Sequence, residues 1–281
     1  MVAKIQSSPD RANHSDLFPC DPCKSADIFS AQIRVIRGDF TIFAPSNSKH
    51  KMHNNIAVIM AAGKGVRVGG EVPKQFMPVN GRMLMEYSLQ TFQDHPRIDE
   101  IFVVLPEDYL QMSELLQYLF DNYSKITRIL AGGEERFQSS WSAIQWFIDR
   151  REDNLLLHDA ARPGLTPKII DDLLDTLENA EAAVTAIPAT DTVLKVNENL
   201  KMEATLDRKT LYYAQTPQAF RAGLLYDCFE ELFADGTFRP TDESGVVAHY
   251  RPDVPIQIVQ GSPANFKVTY PEDIIRIPVS D

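Results

Sequence analysis

The sequence predicts an α/β fold in which helices cover both faces of a mostly parallel β-sheet. Two observations lead to this prediction. From residue 56 onward, short β-branched runs alternate with longer amphipathic stretches, an order typical of strand–helix–strand units. The short runs are apolar throughout rather than at every second residue, which indicates strands buried on both faces.

Each element follows from this alternation. Strands are predicted at the apolar runs 56–60, 100–106, 126–132, 154–159, 182–188 and 255–261. Helices are predicted at about 83–94, 107–121, 136–149, 167–180 and 221–234, where apolar residues recur at helical spacing. Because ligands of such sheets bind at the carboxyl ends of the strands, the segments that follow the strands are the candidates for a site.

Residues 189–220 interrupt the alternation and are predicted to form an extended β-arm. The stretch "VNENL" at 196–200 indicates a turn between two extended segments. A two-stranded arm is only marginally stable alone, so we expect it to pack on another surface, such as a second subunit.

Residues 1–54 are predicted to be a mostly disordered extension of a domain that spans 55–281. The first 55 residues hold seven Lys and Arg against five Asp and no Glu, whereas the rest hold 21 against 34 Asp and Glu. The extension is rich in Ser, Asn and Pro and lacks a sustained apolar period, apart from a candidate hairpin in "AQIRVIRGDFTIFAP". Because Met52 precedes the first strand, we expect the domain to fold without residues 1–51. Organelle targeting by the extension stays open.

Composition excludes several classes of protein. The net charge of −11 weighs against a nucleic-acid or anionic-membrane partner. Apolar runs fall far short of the ~20 residues of a membrane span, and no secretory signal is evident. Three cysteines, an odd and sparse set, fit a reducing compartment and predict a cytoplasmic location. Cys20 and Cys23 have half of a zinc motif without a second ligand pair, so a simple turn is the favoured interpretation.

The stretch "AAGKGVRVGGEVPKQF" at 61–76 follows the first strand. Its glycines do not have the G-x-G-x-x-G spacing of a dinucleotide-binding loop. The G-K-[ST] sequence that ends a P-loop is also absent. A flexible loop remains whose N–H groups can face an anion. Its cations are Lys64, Arg67 and Lys74. The interpretation is a triphosphate-binding loop, and the alternative is a solvated surface loop.

Further polar segments follow other strands. "GGEERFQSS" at 132–140 suits either a polar ligand or a helix cap. Asp159 ends a very apolar strand, where a carboxylate can hold Mg²⁺ that bridges phosphates, although a turn cap is the alternative. His158 is interpreted as structural. The loops at 205–220, 241–245 and 265–273 mix hydroxyls, cations and acids and could each be surface turns.

Together these segments resemble the 2-C-methyl-D-erythritol 4-phosphate cytidylyltransferases of non-mevalonate isoprenoid biosynthesis. The resemblance runs from about Ile56 to Asp273 and rests on seven ordered motifs. They are "AAGKGVRVGGEVPKQF", "GGEERFQSS", "HDAARP", "TDTV", "LDRKTLYYAQTPQAF", "TDE" and "NFKVTYPED". The resemblance implies a Rossmann-like nucleotidyltransferase domain. It also implies transfer of CMP from CTP to methylerythritol phosphate, with Mg²⁺, to give 4-diphosphocytidyl-2-C-methyl-D-erythritol and pyrophosphate.

The resemblance also implies residue roles. The catalytic residues would be Arg67, Lys74 and Lys267, and the metal ligand would be Asp159. The CTP site would comprise Ala61, Ala62, Gly63, Gly65, Gly133, Glu134, Ser139 and Ala160. The methylerythritol phosphate site would comprise Thr192, Arg208, Thr216 and Thr241. In a homodimer the arm would carry Thr192 and Arg208 into the partner's active site.

The chain departs from the family pattern at some points, and rival functions exist. Ala264 stands where many relatives have an acidic or polar residue, which puts a second metal ligand in doubt, and Glu134 replaces a frequent Asp. The nearest rival function is a ribitol or other pentitol 5-phosphate cytidylyltransferase, and "HDAARP", "LDR" and "TDE" weigh against it. A sugar-1-phosphate nucleotidyltransferase has a different loop pattern. A catalytically inactive scaffold is disfavoured because the cations and Asp159 are all present.

Overall fold

The computed structural model describes residues 53–63 and 72–277, together with the backbone of two strands at 32–36 and 39–43. The strands are β1 (Gln32–Ile36), β2 (Asp39–Phe43), β3 (Asn55–Met60), β4 (Pro78–Val79), β5 (Arg82–Met83), β6 (Glu100–Leu105), β7 (Ile126–Ala131), β8 (Asn154–Asp159), β9 (Ala182–Pro188), β10 (Leu194–Val196), β11 (Met202–Thr205), β12 (Tyr212–Arg221) and β13 (Ile256–Gln260). The α-helices are α1 (Leu84–Asp94), α2 (Ser113–Asn122), α3 (Arg136–Ile144), α4 (Pro167–Leu177), α5 (Ala222–Asp235) and α6 (Glu243–Tyr250). Short 3-10 helices lie at Lys74–Phe76, Glu107–Gln111, Gln145–Phe147, Arg208–Thr210 and Pro271–Arg276.

The main sheet has the strand order β1-β2-β7-β6-β3-β8-β12-β9-β13. Strands β7, β6, β3 and β8 are mutually parallel, as are β9 and β13. Among the strands of this sheet that the structure describes, two run in the opposite direction: β12, which lies antiparallel to both β8 and β9, and β2, which lies antiparallel to β7 and to β1. The predicted α/β class with a mostly parallel sheet is confirmed.

The sheet is buried on both faces, as the continuous apolar strands predict. Along β3, Ala57 and Ile59 point into one apolar cluster, which α1, α2 and α4 cover. Ile56, Val58 and Met60 point into the other, which α3, α5 and α6 cover. Burial of each large apolar side chain contributes about 1.5–3 kcal/mol, so this three-layer packing fixes the strand ends that carry the site.

All six predicted strands are present, within one residue at each end. The five predicted helices are also present, although two of them include a 3-10 segment, at Glu107–Gln111 and Gln145–Phe147. Sequence reasoning missed β12 and α6. Strand β12 contains polar residues and a proline in "QTPQ", which concealed its strand character.

The predicted arm is shorter than residues 189–220. A β10–β11 hairpin forms the arm, and the Asn197 side chain closes its turn by accepting hydrogen bonds from the N–H groups of Asn199 and Lys201. Residues 215–220 instead lie buried within the main sheet as part of β12, so the C-terminal boundary of the predicted arm was wrong. The arm exposes large apolar side chains, among them Leu200 at 84% and Met202 at 60%.

Part of the extension joins the sheet. Strands β1 and β2 form the hairpin expected in "AQIRVIRGDFTIFAP", and β2 pairs with β7. Cys20 and Cys23 lie outside the described residues. In the part of the chain that the structure describes, no helix is long and apolar enough to cross a lipid bilayer.

Candidate active site

The candidate site lies where the strand order reverses. The chain runs outward from β3 through β6 to β7 and then returns to β8 on the other side of β3. Met60 and Asp159 end these two neighbouring strands in register. A crevice at the carboxyl ends of parallel strands opens at such a reversal, so the loops after β3 and β8 lie where a ligand binds.

Asp159 is the centre of a cationic cluster. Its carboxylate contacts Lys267 Nζ at 2.8 Å, Arg136 Nε at 3.2 Å and Arg162 Nε at 3.8 Å. These cations come from three different segments, namely the start of α3, the turn after β8 and the loop after β13. The structure therefore brings together the predicted metal ligand and the predicted catalytic lysine of "NFKVTYPED".

The cations determine the charge state of Asp159. Burial by itself would raise the pKa of this carboxyl, but Arg136, Lys267 and Arg162 outweigh that effect and hold the pKa well below its usual range. The carboxylate is therefore ionised at all physiological pH values. Three cations face Asp159 and the Glu243 carboxylate that pairs with Arg136. The cluster therefore stays net positive inside an acidic protein, which suits a polyanionic ligand.

Arg136 and Glu243 belong to this site, although sequence reasoning gave neither of them a role. Arg136 Nη1 donates to Glu243 Oε1 at 2.6 Å, and Ser140 Oγ donates to the same oxygen. The Glu243 side chain is 1% exposed. Arg136 thus links Asp159 to the first residue of α6. The two residues stand inside "GGEERFQSS" and "TDE", but the ion pair joins positions 107 residues apart, which no local pattern reveals.

Lys74 lies beside the Lys267 loop. Its Nζ donates to the backbone oxygen of Val268 at 2.7 Å. The next residue, Gln75, is buried and donates to the backbone oxygens of Ala61 and Gly63 at 2.6 and 2.8 Å. These contacts hold the start of the glycine-rich loop against the 3-10 helix Lys74–Phe76. Lys64, Gly65 and Arg67 lie outside the described residues.

The loops at 61–63 and 132–133 approach each other closely. A Cβ atom at Gly132 would lie 2.2 Å from Ala62 Cβ, so a larger residue at 132 would force the loops apart. The Ser139 hydroxyl accepts a hydrogen bond from the N–H of Gly133 at 3.1 Å. Ser139 is buried and holds the loop through this hydrogen bond, whereas Glu134 is exposed. Ala160 is buried and donates its N–H to the Met60 oxygen at 3.2 Å.

The Thr216 hydroxyl binds the backbone of Asp159. The N–H of Asp159 donates to Thr216 Oγ1 at 3.0 Å, and the same hydroxyl lies 3.2 Å from His158 Nδ1. His158 is fully buried, and burial lowers its pKa to about 4, so the ring is neutral at pH 7. Its Nε2 lies 3.2 Å from the Arg162 oxygen, so both ring nitrogens have internal partners and the predicted structural role is confirmed.

The other predicted substrate residues are dispersed. Thr241 is exposed and precedes Asp242, whose side chain accepts from the Gly245 N–H and caps α6. Thr192 and Arg208 lie exposed on and beside the arm. Arg208 Nη1 donates to the Thr190 oxygen at 2.9 Å, a contact within its own chain. The predicted contacts of these residues with substrate stay predictions.

The loop at Ala264 packs tightly against the turn after β8. A Cβ atom at Gly164 would lie 1.9 Å from the Ala264 oxygen. Arg162 Nη1 donates to the Asn265 oxygen at 2.9 Å and ties the same two segments together. Across residues 53–63 and 72–277, no group of three or more His, Cys, Asp or Glu side chains could hold a metal ion. Among the residues that the structure describes, Asp159 therefore does not belong to a cluster of three or more such side chains.

Comparison with known proteins shows a family match over most of the chain. The family model described as 2-C-methyl-D-erythritol 4-phosphate cytidylyltransferase matches residues 55–278. A 2-C-methyl-D-erythritol 4-phosphate cytidylyltransferase of Thermobifida fusca is 36% identical over 80% of this chain and 92% of its own length. A bifunctional ribulose 5-phosphate reductase/CDP-ribitol pyrophosphorylase of Haemophilus influenzae is also 36% identical, over 79% of this chain but only 47% of its own length.

Solved structures show the same fold. The 4-diphosphocytidyl-2C-methyl-D-erythritol synthase of Anaerococcus prevotii superposes with a TM-score of 0.70 at 28% identity, over 79% of this chain and 93% of its own. The 2-C-methyl-D-erythritol 4-phosphate cytidylyltransferase of Francisella tularensis superposes with a TM-score of 0.67 at 30% identity, over 79% and 97%.

Proposed function

Because this chain belongs to the 2-C-methyl-D-erythritol 4-phosphate cytidylyltransferase family, we propose that it transfers CMP from CTP to 2-C-methyl-D-erythritol 4-phosphate. The products are 4-diphosphocytidyl-2-C-methyl-D-erythritol and pyrophosphate. The observation that carries this proposal is the cationic cluster around Asp159, at the strand ends where the family's motifs meet.

The cluster suits this chemistry. A phosphate oxygen of the acceptor attacks the α-phosphorus of CTP, the bond from that phosphorus to the bridging oxygen breaks, and pyrophosphate leaves. Such a transfer needs alignment and neutralisation of charge more than a strong base. Lys74 and Lys267 approach from adjoining loops, because Lys74 contacts Val268, the residue after Lys267. We assign to both lysines, and to Arg67, the stabilisation of negative charge on the transferring phosphate.

The nucleotide would bind over the loops that follow β3 and β7. Their close approach at Ala62 and Gly132 leaves backbone rather than side chains at this edge. The backbones of Ala61, Ala62, Gly63 and Gly65 are assigned to the phosphates and ribose. Gly133, Glu134, Ser139 and Ala160 are assigned to the cytidine. The Ser139 contact with the Gly133 N–H supports a fixed loop shape for base recognition.

Asp159 could supply one protein ligand to Mg²⁺. Mg²⁺ is commonly bound by one or two carboxylates, substrate phosphates and water, so a single carboxylate suffices when the triphosphate is present. Lys267, at 2.8 Å, now holds one carboxylate oxygen, and its 41% exposed side chain has room to turn aside. When bound, the ion would neutralise triphosphate charge and orient the phosphates. Arg136 donates to the other carboxylate oxygen and keeps the group oriented.

A homodimer is part of the proposal. The exposed apolar side chains of the β10–β11 arm support docking on a second copy of the chain, which would place Thr192 and Arg208 at the partner's substrate phosphate. Thr216 and Thr241 would complete that site. The planar fork of an arginine matches phosphate oxygens.

Mixed subunits test the shared site. Arg208→Ala and Lys74→Ala chains are each expected to be nearly inactive, but their mixture should regain activity. One site of a mixed dimer pairs an intact Lys74 with the intact Arg208 of the other chain. If Arg208 serves its own chain, every site carries one lesion and no activity returns.

The activity itself is tested by pyrophosphate release. Release is expected only when CTP, methylerythritol phosphate and Mg²⁺ are all present, and mass spectrometry should detect the diphosphocytidyl product. A second candidate, ribitol 5-phosphate as acceptor, is favoured by the relative from Haemophilus influenzae. Its support is weaker because this chain matches only about half of that protein. We place the reaction in the cytoplasm, in keeping with the sparse cysteines.

A further inference from the structure

Two buried glutamines on β12 flank the pair Thr216–Pro217. Gln215 is 4% exposed and Gln218 is 1% exposed. A buried side-chain amide is costly unless its donor and its acceptor are both satisfied. Both groups are satisfied here, and each glutamine reaches a different loop of the candidate site.

Gln218 holds the loop before α6. Its Nε2 donates to Asp242 Oδ2 at 2.9 Å, and its Oε1 accepts from the Ser244 N–H at 2.9 Å. Asp242 in turn caps α6 through its other oxygen. Thr241, assigned above to the acceptor substrate, is the residue that precedes Asp242. The Gln218 amide thus fixes the backbone on the C-terminal side of Thr241.

Gln215 holds the loop after β13. Its Nε2 donates to the Ser262 oxygen at 2.8 Å, and its Oε1 accepts from the Ser262 N–H at 3.3 Å. It also receives a hydrogen bond from Asn265 Nδ2 at 3.4 Å. The fit is close, because a Cβ atom at Gly261 would lie 2.4 Å from Gln215 Oε1. This loop leads directly into Lys267.

Neither glutamine contacts the Asp159 cluster through its own side chain among the described hydrogen bonds. Thr216, which lies between them, does contact it, because its hydroxyl accepts a hydrogen bond from the Asp159 N–H. The backbone oxygen of Thr216 also accepts a hydrogen bond from Asn265 Nδ2 at 2.8 Å. The segment "QTPQ" therefore joins three parts of the site, namely the Thr241 loop, the end of β8 and the Lys267 loop.

We propose that Gln215 and Gln218 are positioning residues that act on different steps. Gln218 positions the Thr241 loop for acceptor binding, and Gln215 positions the Lys267 loop for turnover. This inference rests on the proposed function, because it uses the roles assigned to Thr241 and Lys267. An amide is required at both positions, since each side chain must donate one hydrogen bond and accept another. A glutamate at 218 would instead face the carboxylate of Asp242.

The two glutamines serve as matched controls for each other. Methionine has a similar length and removes both hydrogen bonds. Gln218→Met is expected to raise KM for methylerythritol phosphate by about tenfold to a hundredfold, with a much smaller effect on kcat and on KM for CTP. Gln215→Met is expected to lower kcat by a similar factor, with little change in either KM. Where a methionine variant does not fold, asparagine replaces it at that position, because it keeps the amide but is one methylene too short to reach the same partners, and the same split is expected.

Hydrogen exchange supplies a readout that does not depend on activity. The Ser244 amide should lose protection only in the Gln218 variant, and the Ser262 amide only in the Gln215 variant. The proposal is overturned if both variants lose kcat and affinity equally. It is also overturned if each variant loses protection in both loops. Either result would indicate a general role of the glutamines in stability.

Reference variants separate this inference from the proposed function. Thr241→Ala should raise KM for methylerythritol phosphate, and Lys267→Ala should lower kcat. If the reference variants do not show this split, the assigned roles of Thr241 and Lys267 are wrong. If they show it and the glutamine variants do not, the positioning roles are wrong.

Discussion

Replacement of Asp159 by asparagine tests the charge balance of the site most sharply. The amide keeps the shape of the side chain but removes the anion that three cations share. Removal of one partner from a buried ion pair costs about 3–5 kcal/mol. The lower end applies here, because Arg136 keeps Glu243 at 2.6 Å and Lys267 is 41% exposed and can turn to solvent.

We therefore expect Asp159→Asn to reduce the free energy of unfolding by about 3 kcal/mol, or the melting temperature by about 6–12 °C. Turnover with CTP, methylerythritol phosphate and Mg²⁺ should fall by about 10²–10³, the usual effect of losing a preorganised charge. Denaturant unfolding and a pyrophosphate-release assay measure the two effects separately.

Asp153→Asn is the matched control. Asp153 is also buried and pairs with Arg150 Nε at 2.6 Å, and Arg150 keeps a second carboxylate, Glu100, at 2.6 Å. Its replacement should cost a similar amount of stability but leave turnover of the folded protein within about threefold of wild type, since this pair lies at the amino end of β8. Turnover of Asp159→Asn within tenfold of wild type, or equal losses in the two variants, would refute the role of Asp159.

Three further outcomes are expected. Lys74→Ala and Lys267→Ala should each lower kcat by about 10²–10³ without a large loss of stability, and near wild-type turnover would remove that lysine from the mechanism. His158 is neutral when folded, with a pKa of about 4 against 6.5 in the unfolded chain, so it should make the protein about 2 kcal/mol less stable at pH 5 than at pH 7. Denaturant unfolding of His158→Gln should lack that part of the pH dependence. A chain without residues 1–51 should fold and keep its turnover, because the described core clusters lie beyond residue 55; loss of either would show that β1 and β2 are needed.

The sequence predicted those parts of the fold that burial alone determines, because burial leaves a local apolar pattern. The short, continuous apolar runs of β3 and β8 are typical of strands covered on both faces, and their carboxyl ends located the loops of the site. Strand β12 did not show such a pattern, since Gln215, Thr216 and Gln218 are polar yet buried. Their burial depends on hydrogen-bond partners in distant loops, which a reading of neighbouring residues does not reveal.

The candidate site was likewise predicted in part. Asp159, Lys74 and Lys267 stood in recognisable motifs, and the structure places them in adjoining segments. The pairing of Arg136 with Glu243 was missed because it depends on where the tertiary fold places the first residue of α6 relative to α3. The extent of the arm was also misjudged, because an irregular strand inside the sheet resembles an exposed excursion when only its sequence is considered.

Acceptor choice tests the central claim most directly. The measurement is kcat/KM for methylerythritol phosphate and for ribitol 5-phosphate, each with CTP and Mg²⁺ and with UTP as a second nucleotide. We predict that methylerythritol phosphate with CTP exceeds ribitol 5-phosphate with CTP by at least about a hundredfold, since an acceptor site that hydrogen-bonds one polyol leaves polar groups unpaired with another. Equal values, a preference for ribitol 5-phosphate, or no transfer of CMP to either acceptor would contradict the account.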